Sequence, residues 1–188
     1  MIAETARGRP FLIAEVGPVG FTLRELARWA GVSHNAPYRH FRDRDDLMAA
    51  VATQGFRELT QAMLRATGDE SSALDRLKRA GLAYVNFGLR RPEHFTVMFD
   101  APTSVKTEHP DSPEAAKEAF GTMLNLVESC QEEGRLPPGD PYQYALLAWS
   151  MVHGVAKLAI TGRLPHRSKA EILKFAEFVI DQSLPART

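Results

Sequence analysis

TLRELARWAGVSHNAPYRHF, residues 22–41, reads as two short helices joined by a tight turn. Thr22 with Glu25 three residues later is a capping-box helix start. Leu23, Leu26, Ala27 and Ala30 follow at helical spacing and give one apolar face. Gly31 supplies the backbone freedom a helix end needs, and Val32 is expected to pin the turn to the core. Ser33 then caps a second helix that carries Tyr38 and Phe41. A short helix, a glycine-containing turn and a second short helix form the helix-turn-helix signature, whose second helix enters the DNA major groove.

The charge around this stretch agrees with that reading. Over the whole chain Lys+Arg and Asp+Glu are both 23, so the overall balance is silent about nucleic acid. Over residues 20–44, five arginines (Arg24, Arg28, Arg39, Arg42 and Arg44) stand against Glu25 and Asp43, a local net charge of +3. That is a modest electrostatic footprint for phosphate. Hydrophobic content of 44% and charged content of 24% are ordinary for a soluble globular chain. Cys130 is the only cysteine, so no intrachain disulfide can form and a reducing, cytoplasmic setting is expected. No run approaches the ~18 apolar residues of a membrane span. No signal-peptide pattern opens the chain.

Beyond the motif the pattern is helical throughout, and the expected fold class is all-α. Asp43, with Asp46 three residues on, caps a long helix through Leu47, Val51, Phe56, Leu59, Met63 and Leu64 to about Thr67. Further helices are expected over about 73–90, from Pro92, from Asp111 with Glu114 to about 133, over about 141–162, and from the Ser168/Glu171 capping box to about Leu184. The expected domains are a helix-turn-helix unit over residues 1–45 and an effector-binding and dimerisation unit over residues 46–188. A helix can start at about Pro10 but hardly pass through it, so residues 11–16 give at most two turns.

At Phe21-Thr22-Leu23-Arg24-Glu25-Leu26-Ala27, Ala30-Gly31-Val32-Ser33 and Tyr38-Arg39-His40-Phe41 the chain resembles the DNA-binding motif of TetR family repressors. Trp149, His153 and Gly154 resemble a Trp-x-x-x-His-Gly element in the C-terminal domain of one TetR subgroup. The resemblance implies double-stranded operator DNA as partner, a homodimer joined through the last two long helices, and a small, largely apolar effector in the C-terminal bundle. A TetR domain has a long first helix, so with Gly8-Arg9-Pro10 either that helix is short here or the N-terminus departs from the family pattern.

The candidate DNA contacts are Thr22, Ser33, His34, Asn35, Pro37, Tyr38, His40 and Arg44. Thr22 caps a helix whose N-terminus suits a phosphate. Ser33, His34 and Asn35 open the second helix, the end that faces base edges, and Asn pairs well with adenine. Pro37 lies at or beside its first turn. By resemblance Tyr38 and His40 reach phosphates, and Arg44 stands where the family has a lysine. The candidate effector contacts are Phe95, Met98, Phe99, Phe120, Met123, Trp149 and His153, with Tyr84 a further polar group. The plainer alternative for each is ordinary core. Leu147, Met151, Phe175, Phe178 and Val179 are the candidate dimer face.

No catalytic constellation, metal pair or glycine-rich phosphate loop is present in the sequence, and no cofactor is expected. Glu108, His109, Asp111 and Glu114 read as a polar loop and cap. The competing function class is an all-α enzyme or apolar-ligand carrier whose motif is a coincidence. Salt-dependent duplex binding separates the two.

Overall fold

The computed structural model describes residues 21–68, 72–100, 111–165 and 168–184. The expectation for residues 1–20, and that for Glu108 and His109, lie outside them. Every regular element among the described residues is helical. In chain order they are α1 (Leu23–Ala30), a 3₁₀ turn (Pro37–Arg39), α2 (Arg44–Thr67), α3 (Ala73–Arg90), α4 (Pro92–Asp100), α5 (Asp111–Glu132), α6 (Pro141–Ile160) and α7 (Lys169–Ser183). No described helix is long and apolar enough to cross a membrane.

Local chemistry sets most of the boundaries. Asp43 Oδ1 accepts the Asp46 N–H at 2.8 Å and starts α2. Ser72 caps α3 by accepting the Asp75 N–H at 3.2 Å. Asp140 caps α6, accepting the Tyr142 N–H at 2.9 Å, with Pro141 in the first turn, where a missing N–H costs nothing. Ser168 and Glu171 close a full capping box on α7. Asp111 and Glu114 both lie in the first turn of α5.

The chain forms two compact units, Met1–Phe56 with Pro92–Ala115, and Arg57–Arg91 with Ala116–Thr188. In the first, Phe21, Leu23 and Ala27 are buried, as are Leu47, Met48, Val51 and Phe56 of α2 and Phe95, Val97 and Met98 of α4. Gly55 allows the closest approach. A Cβ built there would lie 2.5 Å from Met98 Sδ and 2.9 Å from Met98 Cγ. Glycine inside a helix is unfavourable by about 0.5–1 kcal/mol relative to alanine, so this position trades helix propensity for packing.

In the second unit α3 packs on both α6 and α7. A Cβ at Gly81 would stand 3.1 Å from Ile180 Cδ1 and 3.2 Å from Val152 Cγ1. Glu133, just beyond α5, accepts the Ala73 N–H at 2.8 Å and pairs with Arg76 at 3.4 Å. The carbonyl of buried Cys130 accepts N–H groups from Arg135 at 2.7 Å and Leu136 at 3.1 Å. Burial, then the Glu133 charge, push the Cys130 thiol up to about 11 against the pull of Arg76. Leu64, expected on the apolar face of α2, is 55% exposed. It stands one position past buried Met63, and a step of one residue turns a side chain about 100° around the axis.

Candidate nucleic-acid interface

Thr22 has extended backbone, φ −108° and ψ 157°. Its hydroxyl accepts the Glu25 N–H at 3.2 Å, while Glu25 Oε2 accepts both the Thr22 N–H at 2.8 Å and the Thr22 hydroxyl at 2.9 Å. The Thr22 N–H first, then its hydroxyl, and Arg28 to a lesser degree, hold the Glu25 carboxyl below its ordinary range. At the other end of α1, Gly31 adopts φ 68°. Its N–H bonds to the Arg28 carbonyl at 3.2 Å and the Val32 N–H to the Ala27 carbonyl at 3.0 Å, the Schellman pattern of a helix end. Val32 is therefore fixed by its backbone. Its side chain, expected in the core, is 43% exposed.

The second half of the motif is shorter than the sequence reading suggests. Ser33 does not begin an α-helix. A turn follows it, and then the single 3₁₀ turn Pro37–Arg39. Pro37 carries the physical reason, since it has no N–H to donate to the Ser33 carbonyl four residues back. That carbonyl instead takes the Ala36 N–H at 2.9 Å, and the His40 N–H closes on the Pro37 carbonyl at 3.0 Å. Such i to i+3 bonds define 3₁₀ geometry. Among the described residues Ser33 Oγ accepts only the Asn35 N–H, at 3.4 Å.

Ser33, His34, Asn35, Tyr38 and His40 are all exposed, Tyr38 to 48%. Thr22 is exposed as well. Arg44 is half-buried and bonded to Asp45 Oδ1 at 2.8 and 3.1 Å. Pro37 is fully buried; it shapes the turn and has no surface to offer a phosphate. Arg39 is exposed beside Tyr38, a cation that the sequence showed only as part of the local charge. Phe41 and Leu26, expected as core, are half-buried.

The candidate effector residues fall into one cluster in each unit. In the first, Phe95 and Met98 are fully buried, and Phe99 meets Phe95 at 4.7 Å and Phe56 at 5.4 Å between ring centroids. In the second, Met123 is buried and Phe120 packs on Trp149 at 5.0 Å and on Tyr142 at 5.2 Å. Trp149 Nε1 donates to the Tyr84 hydroxyl at 3.1 Å, and that hydroxyl lies 2.9 Å from His153 Nδ1. His153, a polar group on an apolar face, thus has its partner. Burial pushes the Tyr84 phenol well above its ordinary range despite the Trp149 hydrogen bond.

Residues 77–182 match the pattern described as tetracyclin repressor-like, C-terminal domain, and residues 12–51 match that of the bacterial regulatory proteins of the tetR family. The chain belongs to the TetR family. Members of this family are DNA-binding regulators, which sets aside the enzyme reading. Solved TetR-like folds agree over nearly the full length. A protein of unknown function from Rhodococcus sp. RHA1 is 34% identical, with TM-score 0.77, 97% of this chain covered and 92% of that one. The TetR family transcriptional regulator PfmR from Thermus thermophilus is 17% identical, with TM-score 0.73 and 96% of each chain covered. A bacterial regulatory protein in the tetR family from Rhodococcus RHA1 is 20% identical, with TM-score 0.75, 91% of this chain covered and 90% of that one. No curated protein sequence matches this TetR member.

Proposed function

We propose that this TetR-family regulator is a cytoplasmic repressor that binds operator DNA as a homodimer and is released by a small, largely apolar effector. The observation that carries the DNA reading is the set of exposed side chains Ser33, His34, Asn35, Tyr38, Arg39 and His40, held by a capped α1 and a buried Pro37. In this reading Thr22, Tyr38, His40 and Arg44 contact phosphates and set position, while Ser33, His34 and Asn35 read base edges. The DNA-binding segment ends near residue 45, and the rest of the chain serves the effector and the dimer.

The dimer reading rests on the apolar surface of α6 and α7. Leu147 and Leu158 are each 42% exposed and Phe178 is 60% exposed. Phe175 and Phe178 stack at 6.5 Å between centroids. Nothing stands within 4 Å of a Cβ built at Gly154, which leaves room for another backbone. A helix-turn-helix regulator needs two-fold symmetry to read two half-sites.

The effector reading rests on Phe120, Met123, Trp149 and His153, with Phe95, Met98 and Phe99 as the aromatic set of the other unit. The Trp149, His153 and Gly154 element is what supports assigning the chain to one TetR subgroup in this reading. α2 has 24 residues, a rod of ~36 Å. A ligand that fits one tilt of this rod shifts the population away from the DNA-binding form.

Selection of bound sequences from random duplex DNA tests the proposal. The expected result is a two-fold symmetric site whose affinity falls steeply with salt. Binding that is indifferent to sequence sinks it. Apolar compounds titrated against the operator complex test release, and failure of every compound that binds the free protein to lower DNA affinity ends the induction mechanism.

A further inference from the structure

A groove of about 800 Å³ lies between α2 and α3, wholly within the second unit. Ala62 and Ala66 of α2 and Ala83 of α3 are among its lining residues and bring small apolar side chains to it. Arg65, Arg90 and Arg91 line it as well, against a single carboxylate, Glu58. That carboxylate pairs with Arg91 at 3.5 Å. Arg65 touches only a neutral group, Gln61 Oε1, at 3.3 Å. Arg90 has no hydrogen-bond or ion-pair partner among the described residues.

Asn86 lines the same wall. Its Oδ1 is buried without a partner, an acceptor that calls for a donor on the ligand, such as the P–OH of a hydrogen phosphate. The residue makes no hydrogen bond among the described residues, so its Nδ2–H₂ remains an unused donor in the groove wall. Asn86 and Arg90 are four residues apart on α3 and share a face. The lining thus offers donors and net positive charge beside small apolar side chains, and the volume falls within the ordinary range for a small-molecule site.

We propose that this groove binds a small anionic molecule. Its carboxylate or phosphate head is held by Arg65, Arg90 and the Asn86 amide, and a short apolar stem lies against the alanine side chains. The site is separate from the effector cluster proposed above and does not depend on it.

Calorimetry on the full-length protein without DNA tests it, with three probes: inorganic pyrophosphate, hexanoate and hexanol. Saturable binding of pyrophosphate or hexanoate at one site per chain is expected, with hexanol giving none. The tighter of the two anions identifies the head group. Arg90→Gln should weaken that binding on the order of tenfold, the loss of one charge-assisted hydrogen bond. Asn86→Asp should weaken it at least as much. Arg24→Gln, an exposed cation of α1, should leave it unchanged. Arg90 is exposed, so its variant carries the test even if Asn86→Asp fails to fold. The proposal is overturned if neither anion binds saturably, if hexanol binds as well as hexanoate, or if Arg24→Gln weakens binding equally. Binding of a polyglutamate peptide with neither anion would also overturn it, and would make the groove a protein-docking surface.

Discussion

The Thr22 hydroxyl both donates to Glu25 and accepts from its backbone, so one side chain fixes the entry into α1. Thr22→Ala should cost about 1 kcal/mol of stability and weaken operator binding, read by urea melts and by DNA titration. The same box is sensitive to acid. Glu25 has its pKa lowered from an ordinary 4.5 in the folded chain. Its contribution is therefore present above that value and lost as pH falls through the folded one. The box was legible because it is local, two residues three apart. The partner of His153 was not. Tyr84 lies 69 residues away in sequence, and no periodicity links the two. Tyr84→Phe removes the acceptor for Trp149 Nε1 and the partner of His153 Nδ1. A loss of about 1–3 kcal/mol and a shift in Trp149 fluorescence are expected. An unchanged urea midpoint would show that the trio contributes nothing to stability.

Among the elements, sequence reading succeeded where helix ends carry their own chemistry and failed where backbone geometry overrode it. The caps on α1, α2 and α7 sit at their expected residues, while Ser72 and Asp140 cap α3 and α6 where the sequence reading names only helix starts. Pro37 is expected at or beside a first turn, yet its missing N–H reduces the expected helix to one 3₁₀ turn. Close approach is also invisible in a sequence, as Gly55 shows. Alanine there gains up to about 1 kcal/mol of helix propensity but must displace Met98, at a cost of about 1–3 kcal/mol. Gly55→Ala should therefore destabilise the protein. In a Met98→Ala background the same change should stabilise it. Chemical melts of the four variants give the coupling, and simple additivity would remove Met98 from the account.

At the scale of the whole molecule, the all-α class and the helix-turn-helix were legible from motif and period, and the arrangement of the clusters was not. The pattern that gives core residues also gives surface ones. Phe178 and Leu147, read as a candidate dimer face, are exposed in the single chain, while Leu64, read as core, is exposed too. Phe178→Glu with Leu147→Glu should yield a folded monomer by sedimentation, with operator affinity lost. A persistent dimer would move the interface elsewhere.

The buried thiol at the end of α5 is also a clock. The chain has one cysteine, and its thiol is pushed up to about 11 from 9.0. Two pH units mean ~100-fold less thiolate near neutrality than an unshifted thiol would show. Iodoacetamide should therefore label native protein far more slowly than unfolded chain. When reclosing outpaces labelling, the rate reports the population of the open form, and its rise with urea measures how much of the second unit must open. A bound effector should lengthen the labelling half-life by a factor of one plus the ratio of free effector concentration to Kd. One mass-spectrometric time course would then follow ligand binding without DNA, dye or engineered label.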